Sequence, residues 1–97
     1  MRYEIPLEQG AYQRMTVTLS ERVITLRLRW LHQYGFYAID ILEGGDPITL
    51  GRGLHPGINL LAGLNTGLGT LMLEGRQPTL DNLGRRNRLI YEEPADD

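Results

Sequence analysis

The stretch from Ile24 to Trp30 constrains the fold more than any other part of the chain. It reads Ile-Thr-Leu-Arg-Leu-Arg-Trp, so apolar residues alternate with Thr25, Arg27 and Arg29. Successive side chains of a β-strand point to opposite faces of the sheet, whereas a helix would scatter these residues around its surface. The segment is therefore predicted to be a strand with one buried face and one face that carries arginine.

Other short segments show the same period of two. Met15, Val17 and Leu19 alternate with threonines, and Ser20-Glu21 predicts a tight turn into a strand at 23–31. Because sequential strands tend to be neighbours, a meander of at least four antiparallel strands is the simplest topology. The further predicted strands, separated by turn signals, are 2–5, 36–42, 47–50, 70–74 and 88–92.

The remaining segments complete the predicted fold. Residues 51–69 are apolar and rich in glycine, which predicts compact turns and short strands folded against the core. Pro78–Gly84 is predicted to form one helical turn, since Thr79 is a suitable N-cap and Gly84 a suitable stop. The prediction is a single all-β domain over residues 1–93, a small antiparallel barrel or sandwich with one short helical turn near the C-terminus, followed by an acidic tail at 94–97.

Composition excludes several classes of protein. The chain has 97 residues and a formal net charge of -2, which argues against bulk attraction to nucleic acid. It has no cysteine, which excludes disulfides, thiol catalysis and thiolate metal sites. No apolar run approaches the roughly 18 residues of a membrane span, and the N-terminus lacks the apolar region of a signal peptide. We therefore expect a protein made in a cytoplasm and kept or assembled there.

No motif predicts an active site. His32 and His55 are the only histidines, and they lack the spacing of a metal site even with Asp40 included. Ser20, the only serine, has no nucleophile-elbow pattern around it. Gly63–Gly69 lacks the Lys-Ser/Thr pair of a P-loop. The residues thus predict no catalytic, metal-binding or cofactor-binding site.

Arginine supplies all ten basic residues, and two groups of arginines are candidates for binding. Arg27 and Arg29 lie on one face of the predicted strand. They are either an ordinary solvated face, paired with Asp40 across the sheet, or a contact with an acidic partner.

The second group follows the predicted helical turn. Arg85, Arg86 and Arg88 are close enough in sequence to bind a phosphate or an acidic protein patch. The acidic residues that follow, from Glu92 onward, weaken any attraction to nucleic acid. The order of charges, basic and then acidic, suits a complementary protein partner.

A series of short motifs in fixed order and spacing extends over nearly the whole chain. This series resembles the baseplate plug family of contractile-tailed phages, and the Leu-Arg-Trp strand, the following Tyr-x-x-Asp strand and the Gly-x-Asn-Leu-Leu segment contribute most to the resemblance. The motifs are Tyr3-Glu-Ile-Pro-Leu, Tyr12-Gln-Arg-Met, Ile24-Thr-Leu-Arg-Leu-Arg-Trp, Tyr37-Ala-Ile-Asp-Ile, Ile48-Thr-Leu-Gly, Leu54, Gly57-Ile-Asn-Leu-Leu-Ala, Pro78, Asp81-Asn-Leu-Gly and Arg88-Leu-Ile-Tyr.

The resemblance implies a structural virion protein and not an enzyme. Such a plug lies near the tail axis in the baseplate, where the tail tube meets the spike and hub. It implies protein partners (other baseplate, tail-tube and hub or spike proteins) in a symmetric hetero-oligomeric assembly built in the host cytoplasm, with no cofactor and no membrane. Under this hypothesis the interface candidates are Arg27, Arg29, Arg85, Arg86 and Arg88.

Two other functions are compatible with the residues alone. A small barrel with arginine and aromatic residues on its strands is typical of proteins that bind single-stranded nucleic acid. The net acidity and the absence of lysine oppose this alternative. A small enzyme is the weakest hypothesis, because no nucleophile, base and metal ligands fall together.

Overall fold

The computed structural model describes residues 1–94, and the described residues form seven β-strands and no helix. The strands are β1 (Arg2–Ile5), β2 (Tyr12–Leu19), β3 (Arg22–Leu31), β4 (Phe36–Glu43), β5 (Asp46–Gly53), β6 (Thr70–Gly75) and β7 (Asn87–Glu92). They are arranged in two antiparallel sheets, so the all-β prediction is confirmed.

The larger sheet has the order β2-β3-β4-β5, which confirms the predicted four-stranded meander. Its first hairpin closes with a two-residue turn, in which Ser20 and Glu21 have φ angles of 51° and 66°. Positive φ at both central positions is typical of the turn whose twist matches that of the two flanking strands. The register of β2 and β3 then continues from Leu19↔Arg22 to Tyr12↔Arg29 without a shift.

The smaller sheet has the order β1-β7-β6 and joins the two ends of the chain. Tyr3 lies opposite Tyr91, and Leu73 lies opposite Leu89. In a meander that began with β1, this strand would lie beside β2, whereas here it lies beside β7. The short strand ends at Ile5, because the next residue, Pro6, lacks a backbone N–H, and the loop that follows carries the chain from one sheet to the other.

Both sheets contribute to one hydrophobic core. Its strand residues include Ile24, Leu26 and Leu28 from the larger sheet, and the predicted apolar face of the Ile24–Trp30 strand is therefore confirmed. Tyr37 and Tyr91 are fully buried, and each hydroxyl has a partner: Tyr37 donates to the Gly10 carbonyl over 2.7 Å, and Tyr91 lies 2.7 Å from Ser20 Oγ. These hydrogen bonds compensate the loss of hydration of the two buried hydroxyls.

The prediction left a barrel and a sandwich open, and the described strands form two open sheets and no closed barrel. Two finer predictions are wrong. Residues 54–69 form no strand; they pair with β6 through isolated bridges at Pro56 and Asn59, and Asn59 Oδ1 also accepts the Leu71 N–H over 3.1 Å. The predicted helical turn does not form at 78–84. Thr79 does cap the segment, since its Oγ1 accepts the Asn82 N–H over 3.2 Å and its carbonyl accepts the Leu83 N–H over 3.1 Å. The next N–H, of Gly84, donates to Asn87 Oδ1 over 2.8 Å, so helical hydrogen bonding does not continue and the segment is a series of turns. Most of the predicted acidic tail, 95–97, lies outside the described residues.

Candidate interaction surface

Asp40 is the centre of the first arginine group. It lies directly opposite Arg27 in the β3–β4 register, and only 6% of its side chain is exposed. Its Oδ2 lies 3.2 Å from Arg27 Nη2 and 3.5 Å from Arg29 Nη1. Its Oδ1 accepts the Gly51 N–H over 2.6 Å. The predicted pairing of the arginines with Asp40 is therefore present, and it satisfies a buried carboxylate.

The same geometry limits what Arg27 and Arg29 can offer to a partner. The side chain of Arg27 is 38% exposed, and that of Arg29 is 51% exposed. A buried carboxylate without its cations is strongly destabilising. Both guanidinium groups therefore have a structural role, and only the exposed parts of these two side chains can contact a partner.

A third arginine lies on this face, and it was not among the sequence-predicted site residues. Arg14 is exposed on β2 and lies directly opposite Arg27. Among residues 1–94, no carboxylate lies within ion-pair distance of Arg14, so Asp40 pairs with Arg27 and Arg29 but not with Arg14. We call Arg14, Arg27 and Arg29 the sheet surface. Three arginines against the single carboxylate of Asp40 give this surface an excess of positive charge, and like charges that face each other across strands destabilise a sheet.

The second group lies on the other sheet and the loop before it. Arg85, Arg86 and Arg88 are all exposed, and Arg88 makes only a long contact of 3.9 Å, from its Nε to Glu4 Oε1. Together they line an open cleft of about 620 Å³, which Glu4 and Glu74 also border. We call Arg85, Arg86 and Arg88 the loop surface. The structure brings together the members of each group but places the two groups on different sheets.

Two asparagines hold the loop surface in place. Asn87 is buried, its Oδ1 accepts the Gly84 N–H over 2.8 Å, and its Nδ2 donates to Asn82 Oδ1 over 3.0 Å. Asn82 in turn donates to the Gln77 carbonyl over 3.1 Å. The sequence analysis did not single out Asn87. The only local signal was an asparagine immediately before the predicted strand at 88–92, after a glycine turn.

A separate ion pair fixes the far end of the larger sheet. Arg22 donates to both carboxylate oxygens of Glu43, over 2.6 and 2.8 Å, and also to the Thr66 carbonyl. Hydrogen bonding by Arg22 lowers the pKa of the Glu43 carboxyl below its ordinary value. This pair ties β3 and β4 to the long segment that precedes β6.

The histidines do not form a site. His32 is exposed in the turn after β3, whereas His55 packs against Phe36, with ring centroids 5.3 Å apart, and its Nδ1 contacts Gln77. Within residues 1–94, no three His, Cys, Asp or Glu residues are grouped so that they would hold a metal ion. The described part of the chain also has no helix long and apolar enough to span a membrane.

Comparison with known proteins decides the family. The family model described as cyanophage baseplate Pam3 plug gp18 matches residues 2–94, which is nearly the whole chain. The chain belongs to this baseplate plug family. No curated protein matches the chain. Family membership gives the plug a structural role in a phage baseplate, a location in the virion tail and an association with other baseplate components. The family is a structural one, which favours a role without catalysis.

Proposed function

We propose that this plug links tail-tube proteins to hub or spike proteins, near the tail axis, through protein–protein contacts. The observation that carries the proposal is the separation of the exposed arginines into two groups on two different sheets. A linker needs two contact surfaces, and a small domain with one core can hold two such surfaces in a fixed relation. The plug would join a symmetric assembly of several kinds of subunit, formed in the host cytoplasm.

The loop surface is the stronger of the two candidates. Arg85 and Arg86 are exposed, and within residues 1–94 neither has a carboxylate within ion-pair distance. Their backbone N–H groups both donate to the Asn82 carbonyl, over 2.8 and 3.0 Å, so the loop that carries them has a defined shape. A loop of defined shape loses less backbone freedom on binding, and guanidinium groups suit bidentate contacts with carboxylates.

The sheet surface supplies the other contact. Arg14 is unpaired by any described carboxylate, and half of the Arg29 side chain remains exposed after its contact with Asp40. Tyr12 lies opposite Arg29 and is 61% exposed. Tyrosine and arginine are enriched at the centres of protein interfaces, because each combines contact area with polar groups.

Purified components of one baseplate provide the test. The plug is mixed with the tail-tube protein and with the hub protein from the same particle, and association is measured by analytical ultracentrifugation. The double variant Arg85→Glu with Arg86→Glu should weaken one of these associations at least about tenfold, since it reverses an unpaired charge. The double variant to lysine keeps the charge and is the matched control.

The sheet surface needs a different variant. Reversing Arg27 and Arg29 would add two carboxylates beside buried Asp40 and confound binding with stability. Arg14→Glu instead places a carboxylate directly opposite Arg27, and the two side chains can pair across the strands, so the fold should survive. If the plug associates with neither protein, the linker proposal is wrong; if it associates with both and neither variant weakens binding, the arginine surfaces are not the contacts.

A further inference from the structure

The two sheets have four edge strands, and three of them are protected. β1 has only four residues and is followed directly by Pro6. β5 contains Pro47, and its register with β4 is interrupted twice. β6 is covered by the preceding segment, because the Gly57 and Leu60 N–H groups donate to carbonyls of β6 over 2.9 and 2.7 Å. Short length, proline, bulges and covering loops are the means by which proteins prevent edge-to-edge pairing.

β2 has none of these protections. It has eight residues, no proline and an unbroken register with β3. Within residues 1–94, no backbone group outside β3 hydrogen-bonds to the backbone of β2. Long edge strands that remain regular and uncovered are templates for pairing with another chain.

The register identifies which backbone groups are free. The two-residue turn makes Leu19 and Arg22 a hydrogen-bonded pair, and the Trp30 N–H, which donates to the Ala11 carbonyl over 2.7 Å, follows the same alternation. Every second residue of β2 therefore directs its N–H and C=O away from β3. These residues are Tyr12, Arg14, Thr16 and Thr18, and all four side chains are exposed on the face that carries the sheet surface.

We propose that β2 binds an extended, acidic segment of another baseplate protein by strand addition. A strand that pairs with this edge would place every second side chain beside Arg14 and next to the excess positive charge of the sheet surface. A second copy of the plug would instead bring its own Arg14 and Arg27 to the same place, and the like charges would repel. The inference rests on the proposed linker function for the existence of a partner.

A synthetic peptide tests this surface without any baseplate protein, so its failure is distinguishable from failure of the linker proposal. The probe is a capped eight-residue peptide of alternating valine and glutamate, added to the plug and followed by amide chemical shifts. The largest shifts should occur at Tyr12, Arg14, Thr16 and Thr18, and their amides should exchange more slowly with solvent. Shifts confined to other strands, or no binding, would overturn the inference.

Two peptide analogues separate backbone pairing from simple charge attraction. In one analogue the glutamate nitrogens are methylated, and in the other the valine nitrogens are methylated. Antiparallel addition directs the glutamate N–H groups toward β2, so the first analogue should bind at least about tenfold more weakly and the second should bind like the parent. If the peptide adds in the parallel direction, the analogue with methylated valine nitrogens should be the weaker binder. Equal binding of both analogues would overturn the inference. If a valine–lysine peptide binds as well as the parent, the inference that the partner segment is acidic is wrong.

Variants of the plug provide the matched test. Thr16→Pro removes an N–H that faces away from β3, so the β2–β3 ladder stays intact while the outer edge loses a donor. Thr16→Ala keeps that N–H and is the control. Binding should be lost in the proline variant and kept in the alanine variant. Sedimentation of the plug alone should give a monomer; a dimer that Thr16→Pro dissociates would assign the edge to a second copy and overturn the proposal.

Discussion

Asp40 lies directly opposite Arg27 in the β3–β4 ladder, and its buried carboxylate is 3.2 Å from the Arg27 guanidinium. Arg29 reaches the same carboxylate oxygen from one side, and the Gly51 N–H satisfies the other oxygen. The arginine face of β3 is therefore both part of the fold and part of a basic surface. The stability of the plug and its capacity to bind share these residues, and experiments must separate the two.

Replacing Asp40 by asparagine should destabilise the domain. The amide oxygen can still accept the Gly51 N–H, but the attraction to two guanidinium groups is lost. Because both arginines remain partly hydrated, we expect a loss of about 1–3 kcal/mol in the free energy of unfolding, measured by urea denaturation. Arg14→Ala is the control, and it should change stability by no more than about 0.5 kcal/mol. Equal effects of the two variants would contradict the buried pair.

Replacing Glu21 by glycine should stabilise the domain. Glu21 has a φ of 66°, a conformation that is costly for residues other than glycine, and its side chain is exposed. Glycine relieves this strain, but it also gives the unfolded chain more conformational freedom, which offsets part of the gain. We expect the free energy of unfolding, measured by heat or urea, to rise by about 0.5 kcal/mol.

Gly45→Ala is the opposite change in the β4–β5 turn, where Gly45 has a φ of 85°. It should lower stability by about 1 kcal/mol. A stabilised Gly45→Ala or a destabilised Glu21→Gly would contradict the turn geometry.

The Arg22–Glu43 pair should make stability depend on pH in the acid range. The pKa of Glu43 is lowered in the folded state from its ordinary value of 4.5, chiefly because Arg22 hydrogen-bonds to its carboxylate. The pair therefore stabilises the fold fully above this ordinary value, and the contribution is lost as pH falls through the lowered pKa. Glu43→Gln should flatten the part of the stability profile that falls as the pH drops below the ordinary value of 4.5. An unchanged acid profile would show that the pair contributes nothing.

Asn87→Ala should weaken both the fold and the loop surface. The substitution removes the acceptor for the Gly84 N–H and the donors to Asn82 Oδ1 and the Arg76 carbonyl. Leaving such groups unsatisfied predicts a loss of about 2–3 kcal/mol in urea unfolding. Asn65→Ala, at an exposed position, is the matched control and should be close to neutral. Loss of order at Arg85 and Arg86, measured by amide exchange, should accompany the change.

Single-stranded nucleic acid should not bind in a salt-sensitive way. The net charge is -2, and Glu4 and Glu74 border the cleft that Arg85 and Arg86 line. A titration of a labelled oligothymidine at several salt concentrations checks this, because contacts with phosphate weaken steeply as salt rises. Strong binding that falls with salt would favour the alternative of a nucleic-acid-binding module.

Much of the larger sheet could be predicted from sequence, because its signals are local. Alternation in Ile24–Trp30 gave the buried face, and the short turn at Ser20-Glu21 gave the β2–β3 hairpin. The pairing of Arg27 with Asp40 followed from the two strands being neighbours. The family resemblance was also readable from the order of short motifs, and the match over residues 2–94 agrees with it.

What could not be predicted depends on contacts between distant residues. Nothing local to Tyr3 specifies Tyr91 as its partner, and strand pattern alone does not distinguish a closed barrel from two sheets. The helical turn was wrong because the Gly84 N–H, which would continue the helical pattern, donates to the side chain of Asn87, a residue outside the predicted turn. The assignment of Arg27, Arg29, Arg85, Arg86 and Arg88 to interfaces stays a prediction, and Arg14 joins it only because the register places it beside Arg27.

The most direct test is a cryo-electron-microscopy reconstruction of intact, uncontracted tails that carry this plug. We predict density for the two-sheet fold at the tail axis, between the last ring of the tube and the hub or spike, with the loop surface against one neighbour and the sheet surface against the other. Tails in which this density is absent, or in which the plug touches only one of the two neighbours, would contradict the linker function.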